Sequence, residues 1–311
     1  MSPRALAPSF RHPITPSPHP GLARAYAACE ALARSHYENF PVASRLLPPP
    51  MRRHVAAIYA YARLADDIAD EGTAPAVDRL VRLDEWQRRL HAAVAVDRSA
   101  ESSRHHEDLI VVATAHSIRS LDLPITLFDD LLSAFGQDTM TMRYDSWAEV
   151  FDYCRRSANP IGRLVLRIAG YRDEALDRSS DALCTALQLT NFWQDFGRDW
   201  IAGRLYVPRD VAVSCRAREM DLSGPWLNDS WMEALRQCVA ETRTHFEAGR
   251  ELCDAVRGRL RYQLRFTWLG GARMLEHVER TGAALLTRRP TLSARDVPRI
   301  LWRASRWPSH D

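Results

Sequence analysis

Carboxylates gather at two places in the 311-residue chain, and at both the spacing is helical. In YARLADDIADEG, residues 61–72, Asp66, Asp67 and Asp70 close an otherwise apolar run. Asp66 and Asp70 are four apart and share a helix face, whereas Asp67 is turned about 100° away. In QLTNFWQDFGRDW, residues 188–200, Asn191, Asp195 and Asp199 follow at i, i+4 and i+8, with Gln188 on the same side. Gly72 and Gly203 are natural stops for the two helices. Acidic groups in a last turn oppose the macrodipole at roughly 0.3–1 kcal/mol each, and carboxylates at i,i+4 repel by about 0.2–0.5 kcal/mol per pair. A bound divalent cation reverses both signs. The donors are oxygens, with no histidine or thiol, which selects a hard ion such as Mg²⁺. Magnesium takes one or two carboxylates and completes its octahedron with waters and phosphate oxygens. Either stretch alone also reads as a solvated acidic face. Together, beside Ile68, Phe192 and Trp193, they favour a metal-bound diphosphate.

Other residues could serve that chemistry. Arg63 stands three before Asp66, where it either grips a diphosphate oxygen or makes an ordinary surface ion pair. Tyr59, Phe192, Trp193 and Tyr206 are candidates for a wall that shields a carbocation, with plain core packing as the other reading of each. SANPIGRL, residues 157–164, breaks a helical pattern, because Pro160 lacks a backbone donor; a kink or a loop is expected there. The His105-His106 pair has no metal-ligand spacing and is expected at the surface.

The elements that must position these groups are helices. AVDRLVRLDEWQRRLHAAV places Leu80, Leu83, Trp86, Leu90 and Val94 along one stripe, and similar periodicity runs through nearly every segment from Leu22 onward. Ser146 before Glu149 and Ser230 before Glu233 have capping-box spacing, and Pro124 suits a first turn. No stretch alternates with period two between turns. The expected fold is an all-α, single-domain helical bundle over residues 21–290, after a disordered Pro-rich tail at 1–20 and before a C-terminal appendage at 291–311.

Composition bounds the function. Net charge is +3, which argues against nucleic acid as a partner, and hydrophobic residues make up 46% against 26% charged. There is no lysine, so every basic contact is made by arginine, a forked donor suited to phosphate. Six scattered cysteines without a Cys-x-x-Cys pair fit a reducing cytosol. No apolar run reaches the ~18–20 residues of a membrane span, and the N-terminus lacks the apolar segment of a signal peptide. A cytoplasmic protein is expected, attached at most to the inner membrane face.

YAYARLADDIAD, QLTNFWQDFGRD and GRLYVP together resemble the squalene/phytoene synthase family of head-to-head prenyl transferases, and the likeness runs from HYENFP to RFTWLGG. It implies an isoprenoid-synthase bundle with a central cavity. Asp66, Asp70, Asn191, Asp195 and Asp199 match its Mg²⁺–diphosphate positions, Arg63 and Gln188 lie near the diphosphate, and Tyr59 and Tyr206 match pocket tyrosines, Tyr206 counted with the catalytic set. His36, Asn39 and Phe40 of HYENF, Asn159 of SANPIG and Arg265 of RFTWLGG are carried over as substrate-binding. Two motifs depart from the common pattern: HYENF replaces His-Ser-x-Ser-Phe, and SANPIG replaces Val-Ala-Gly-x-Val-Gly. Both look like the HpnC-type, hydroxysqualene-forming branch of bacterial hopanoid pathways. That branch takes presqualene diphosphate from a sister synthase, ionises it with Mg²⁺, opens the cyclopropane ring and captures water, so NADPH is not expected. The alternatives are squalene or phytoene synthesis from two prenyl diphosphates such as farnesyl diphosphate, and a catalytically silent relative acting as an assembly or binding protein.

Overall fold

The computed structural model describes residues 20–35, 47–70, 74–96 and 105–307. His36, Asn39 and Phe40 lie outside the described residues, as does the expected tail except Pro20, which opens the first helix. The chain packs as two compact units, 1–132 with 163–177 and 133–162 with 178–311. Among the described residues everything regular is helical, apart from an isolated parallel bridge between Arg143 and Leu205.

The first unit holds α1 (Pro20–Ser35), α2 (Pro49–Asp70), α3 (Ala76–Ala95) and α4 (His106–Leu121). Helix α4 is buried almost all round, from Ile110 to Ile118, because α1, α2 and α3 all pack against it. Helix α2 approaches its neighbours through small residues, Ala56, Ala57, Ala60, Ala65 and Ala69. Tyr61 of α2 stacks on Trp86 of α3 at 5.1 Å and meets Phe128 edge-on at 5.7 Å. Aromatic pairs of this kind add about 0.5–1.5 kcal/mol beyond area burial. Leu83, Trp86 and Leu90 face the core as the stripe predicts, but Leu80 is exposed and Ala93, one residue before Val94, takes the buried place. A polar group sits inside this core: the Tyr26 hydroxyl bonds His54 Nδ1 (3.2 Å), His116 Nδ1 (2.8 Å) and Ser117 Oγ (3.0 Å).

The second unit is built on α11 (Asp229–Gly249) and α13 (Gly258–Thr281), which pack together. Helix α5 (Thr126–Asp138) ends in this unit, α6 (Trp147–Ser157) lies wholly within it, and α7 (Asn159–Ile168) begins there. Most of α8 (Glu174–Gln194) also belongs to it, with α9 (Phe196–Ile201), α10 (Arg209–Ser214), α12 (Leu252–Ala255) and α14 (Asp296–Ser305). Pro160 neither kinks a helix nor sits in a loop; it is the second residue of α7, where a missing N–H costs nothing. The capping spacings misplace two contacts. Asn228, not Ser230, caps α11 by accepting from the Trp231 N–H at 3.0 Å. Glu149 reaches the Asp145 N–H at 2.7 Å, while the Ser146 side chain makes no cap bond.

The C-terminal appendage is a docked helix. Asp296, 2% exposed, accepts from the Ser293 N–H (2.8 Å), the Ser293 hydroxyl (2.8 Å) and Arg273 Nε (2.6 Å), and contacts His277 Nε2 (3.0 Å). These bonds favour the anion and hold the Asp296 carboxyl below its ordinary 3.8, the Ser293 backbone contributing most. A carboxyl held low in the native state adds stability that is complete above its unfolded value and is lost as pH falls through the native one. Asp296→Asn is therefore expected to cost about 1–3 kcal/mol at pH 7. In denaturant unfolding across a pH series, the gap from wild type should close as pH drops below 3.8.

Candidate functional site

In the first unit, the C-terminal turns of α2 carry Tyr59, Arg63, Asp66, Asp67 and Asp70. Arg63 Nη1 lies 3.2 Å from Asp66 and its Nη2 lies 2.6 Å from Asp67, so one guanidinium bridges the two carboxylates. Asp67, which the spacing turns away from Asp66, thus joins the cluster through Arg63. Asp70 ends the helix and is exposed. The Tyr59 hydroxyl is held protonated above its ordinary 10, first by burial and then by Asp66 and Asp67, with Arg63 opposing. This end of α2 offers carboxylate oxygens, a guanidinium fork and a neutral phenol.

In the second unit, the run Asn191–Asp195–Asp199 crosses a junction. Helix α8 stops at Gln194, Asp195 bends at φ −95° and ψ 8°, and α9 starts at Phe196. The register survives, because the Asp195 N–H donates to Asn191 O and the Asp199 N–H to Asp195 O, both at 2.9 Å. Gly203, at φ +83°, then turns the chain as expected. Gln188 is half-buried and Asn191 exposed.

Distant residues brace this junction. Arg289 clamps Asp195 with its Nε on one carboxylate oxygen and its Nη2 on the other, the latter at 3.2 Å. Gln194 Nε2 donates to Pro290 O at 2.9 Å. Gly197 makes the approach feasible: a Cβ there would stand 2.2 Å from the Leu286 carbonyl oxygen of the 3-10 turn Gly282–Leu286. After Gly203, Arg143 holds the chain by donating to the Gly203 carbonyl (2.5 Å) while paired to Glu219 (2.8 Å).

An aromatic group backs the junction. Phe192 and Tyr206 stack face to face, 3.7 Å apart and 5° from parallel. Tyr144 and Tyr153 lie 5.7 and 6.2 Å from Tyr206, and the Tyr153 hydroxyl donates to Asp138 at 2.7 Å. Burial, then the Asp138 charge, pushes the Tyr206, Tyr144 and Tyr153 hydroxyls well above the ordinary phenol value. Three protonated phenols and one phenyl ring, each at most 9% exposed, pack beside a carboxylate as one aromatic cluster. Trp193 meets Phe192 edge-on at 6.3 Å, and its Nε1 donates to Thr242 at 2.8 Å.

Asn159 opens α7, is 8% exposed, and accepts the Thr185 hydroxyl on its Oδ1 at 3.1 Å. That bond fixes which end of the amide Thr185 sees. Arg265 has bracing contacts: it donates to Asp254 (2.7 Å) and to the Cys253 carbonyl (3.4 Å), and lies 5.3 Å from the Trp307 ring. Sequence spacing missed Arg289, Asp138, Tyr144 and Tyr153, because each joins its site from far along the chain. Phe192 and Tyr206, both named from the sequence as candidates for one wall, do stack on each other.

Among the described residues no three His, Cys, Asp or Glu side chains converge on a ready-made metal cage. Each station offers two carboxylates at i,i+4 and no softer ligand, which is the protein share that Mg²⁺ takes when phosphate oxygens supply the rest.

The profile of the squalene/phytoene synthase family matches residues 33–296. A hydroxysqualene synthase of Sinorhizobium fredii is 34% identical over 73% of this chain and 74% of its own. One from Zymomonas mobilis is 38% identical over 60% of this chain and 59% of its own. The crystal structure of the squalene synthase HpnC from Alicyclobacillus acidocaldarius superposes with a TM-score of 0.76, at 36% identity, over 84% of this chain and 95% of that one.

The bracing of the second station is open to test through Gly197. Gly197→Ala forces backbone apart at the Leu286 carbonyl and is expected to cost about 1–3 kcal/mol. Thermal unfolding measures that loss. Turnover per folded molecule should fall as well, because the Arg289–Asp195 clamp depends on the same approach.

Proposed function

The chain belongs to the squalene/phytoene synthase family, and from that membership we infer that it is a hydroxysqualene synthase. It converts presqualene diphosphate and water into hydroxysqualene and diphosphate, without NADPH. The second station supports this reading most directly. Oxygen donors for a leaving diphosphate and a stacked aromatic pair for a carbocation lie on successive residues, Asn191 and Phe192.

Diphosphate binding needs both stations. Asp66 and Asp70, with Asn191, Asp195 and Asp199, are the residues that would hold Mg²⁺, which when bound neutralises the charge of the departing group. Arg63 and Gln188 donate to diphosphate oxygens, and Tyr59, kept neutral, adds a hydroxyl donor. As the carbon–oxygen bond breaks, its electron pair leaves with the diphosphate. Phe192, Tyr206 and the neighbouring phenols then exclude water from the cation until the ring has opened. Asn159, held by Thr185, orients the water that is finally captured; that water's proton passes to the released diphosphate. His36, Asn39 and Phe40 bind the substrate in this scheme, and Arg265 supports it through Asp254.

Substrate and product both carry long hydrocarbon chains. No helix among the described residues is long and apolar enough to cross a membrane. Work at the cytoplasmic face of a membrane, fed by a presqualene diphosphate synthase, follows from this reading.

The test is product analysis. Purified protein with Mg²⁺ and presqualene diphosphate should give hydroxysqualene, unchanged by NADPH, while farnesyl diphosphate alone should give nothing. Squalene or phytoene from farnesyl diphosphate would establish the two-substrate synthase instead, and silence with every substrate would leave an assembly role. Asp70→Ala and Asp195→Ala should each lower turnover at least about a thousandfold; wild-type rates in either would remove the metal reading.

A further inference from the structure

Helix α14 turns an apolar, arginine-flanked face to solvent. Its inner side is fixed by Asp296, Ala304 and the following Trp307, all buried. Outside, Val297 and Leu301 are 52% and 51% exposed, and Trp302 is 58% exposed. The 297/301 and 298/302 pairs stand at i,i+4, so Val297, Leu301, Pro298 and Trp302 form one double row. Exposed Arg295, Arg299 and Arg306 accompany that row, and Arg306 lies 5.1 Å from the Trp302 ring. Asp296 is the sole acidic residue between 288 and 306, and it is buried against Arg273 and His277. No carboxylate on the helix therefore opposes an anionic surface.

We propose that this face docks the protein onto an anionic lipid bilayer. An interfacial helix combines a narrow apolar row bearing tryptophan with arginines that reach the headgroups, and α14 has each part. Arg295, Arg299, Arg303 and Arg306 outnumber Glu276, the α13 carboxylate that faces Arg299 and Arg303, and this excess of positive charge selects acidic phospholipid over a neutral surface. The inference rests on the reading of a lipid-soluble substrate and product, which gives a bilayer as their source and sink.

Sedimentation of the full chain with vesicles tests it, using phosphatidylcholine alone and phosphatidylcholine mixed with phosphatidylglycerol. Wild type should partition onto the mixed vesicles, leave them as salt rises, and ignore phosphatidylcholine. Arg295→Gln with Arg299→Gln and Arg306→Gln should weaken partition about a hundredfold, roughly fivefold per arginine. Leu301→Ser with Trp302→Ser should weaken it at least about tenfold. Both variants should turn over detergent-dispersed presqualene diphosphate like wild type, which shows that they are folded. Equal partition of wild type and variants, no binding to either vesicle, or a dimer that Trp302→Ser dissolves would overturn the proposal. A chain that sorts onto anionic vesicles but turns over nothing would keep the docking surface and overturn the enzymatic reading.

Discussion

Carboxylates crowded at a helix end must be neutralised by something, and the surrounding structure is organised by what does so. Asp66 and Asp67 share Arg63 within α2, at separations of three and four residues. Asp195 takes Arg289 from the far end of the chain. In both places the neutraliser is a forked cation that matches carboxylate and phosphate alike. The ion pairs are partly exposed, so their own contribution to stability is small; their significance is that they keep the acidic groups in place.

The second unit is shaped around its junction. Gly197 lets α9 lie on the backbone of the 282–286 turn, which delivers Arg289 to Asp195. Arg143 holds the chain after Gly203, and the bridge from Arg143 to Leu205 sets the strand-like step that presents Tyr206. Tyr206 then stacks on Phe192, one residue from Asn191. Polar and aromatic functions are therefore coupled through a few covalent links. A shift of about 1 Å at the turn would reach both, a displacement large enough to matter to chemistry.

The all-α class and the helical placing of both acidic stretches were legible in the sequence because helical spacing is local. Residues four apart share a face whatever surrounds them, and Gly203 stops its helix through its own backbone freedom. What spacing does not encode is which remote side chain arrives. Arg289 sits 94 residues from Asp195, and Asp138 meets Tyr153 across a break between helices. Competition between near-equal local signals explains other differences: Asn228 wins the cap that Ser230 was spaced to make, and Pro160 starts a helix. Trp193 illustrates the ambiguity of aromatic residues: it and its neighbour Phe192 are both buried, yet Phe192 stacks on Tyr206 while the Trp193 indole bonds Thr242.

The central claim is that diphosphate is bound through divalent metal and that this binding needs the oxygen-rich helix ends of both units. Calorimetric titration of the protein with inorganic diphosphate, with Mg²⁺ and then with a chelator in its place, tests it without any turnover. The account predicts binding that needs Mg²⁺, and its loss in Asp70→Asn and in Asp195→Asn alike, with a ligand at a hundredfold over Kd raising stability by about 2.7 kcal/mol in wild type alone. Binding of equal strength in the chelator, or its survival when either station is altered, would contradict it.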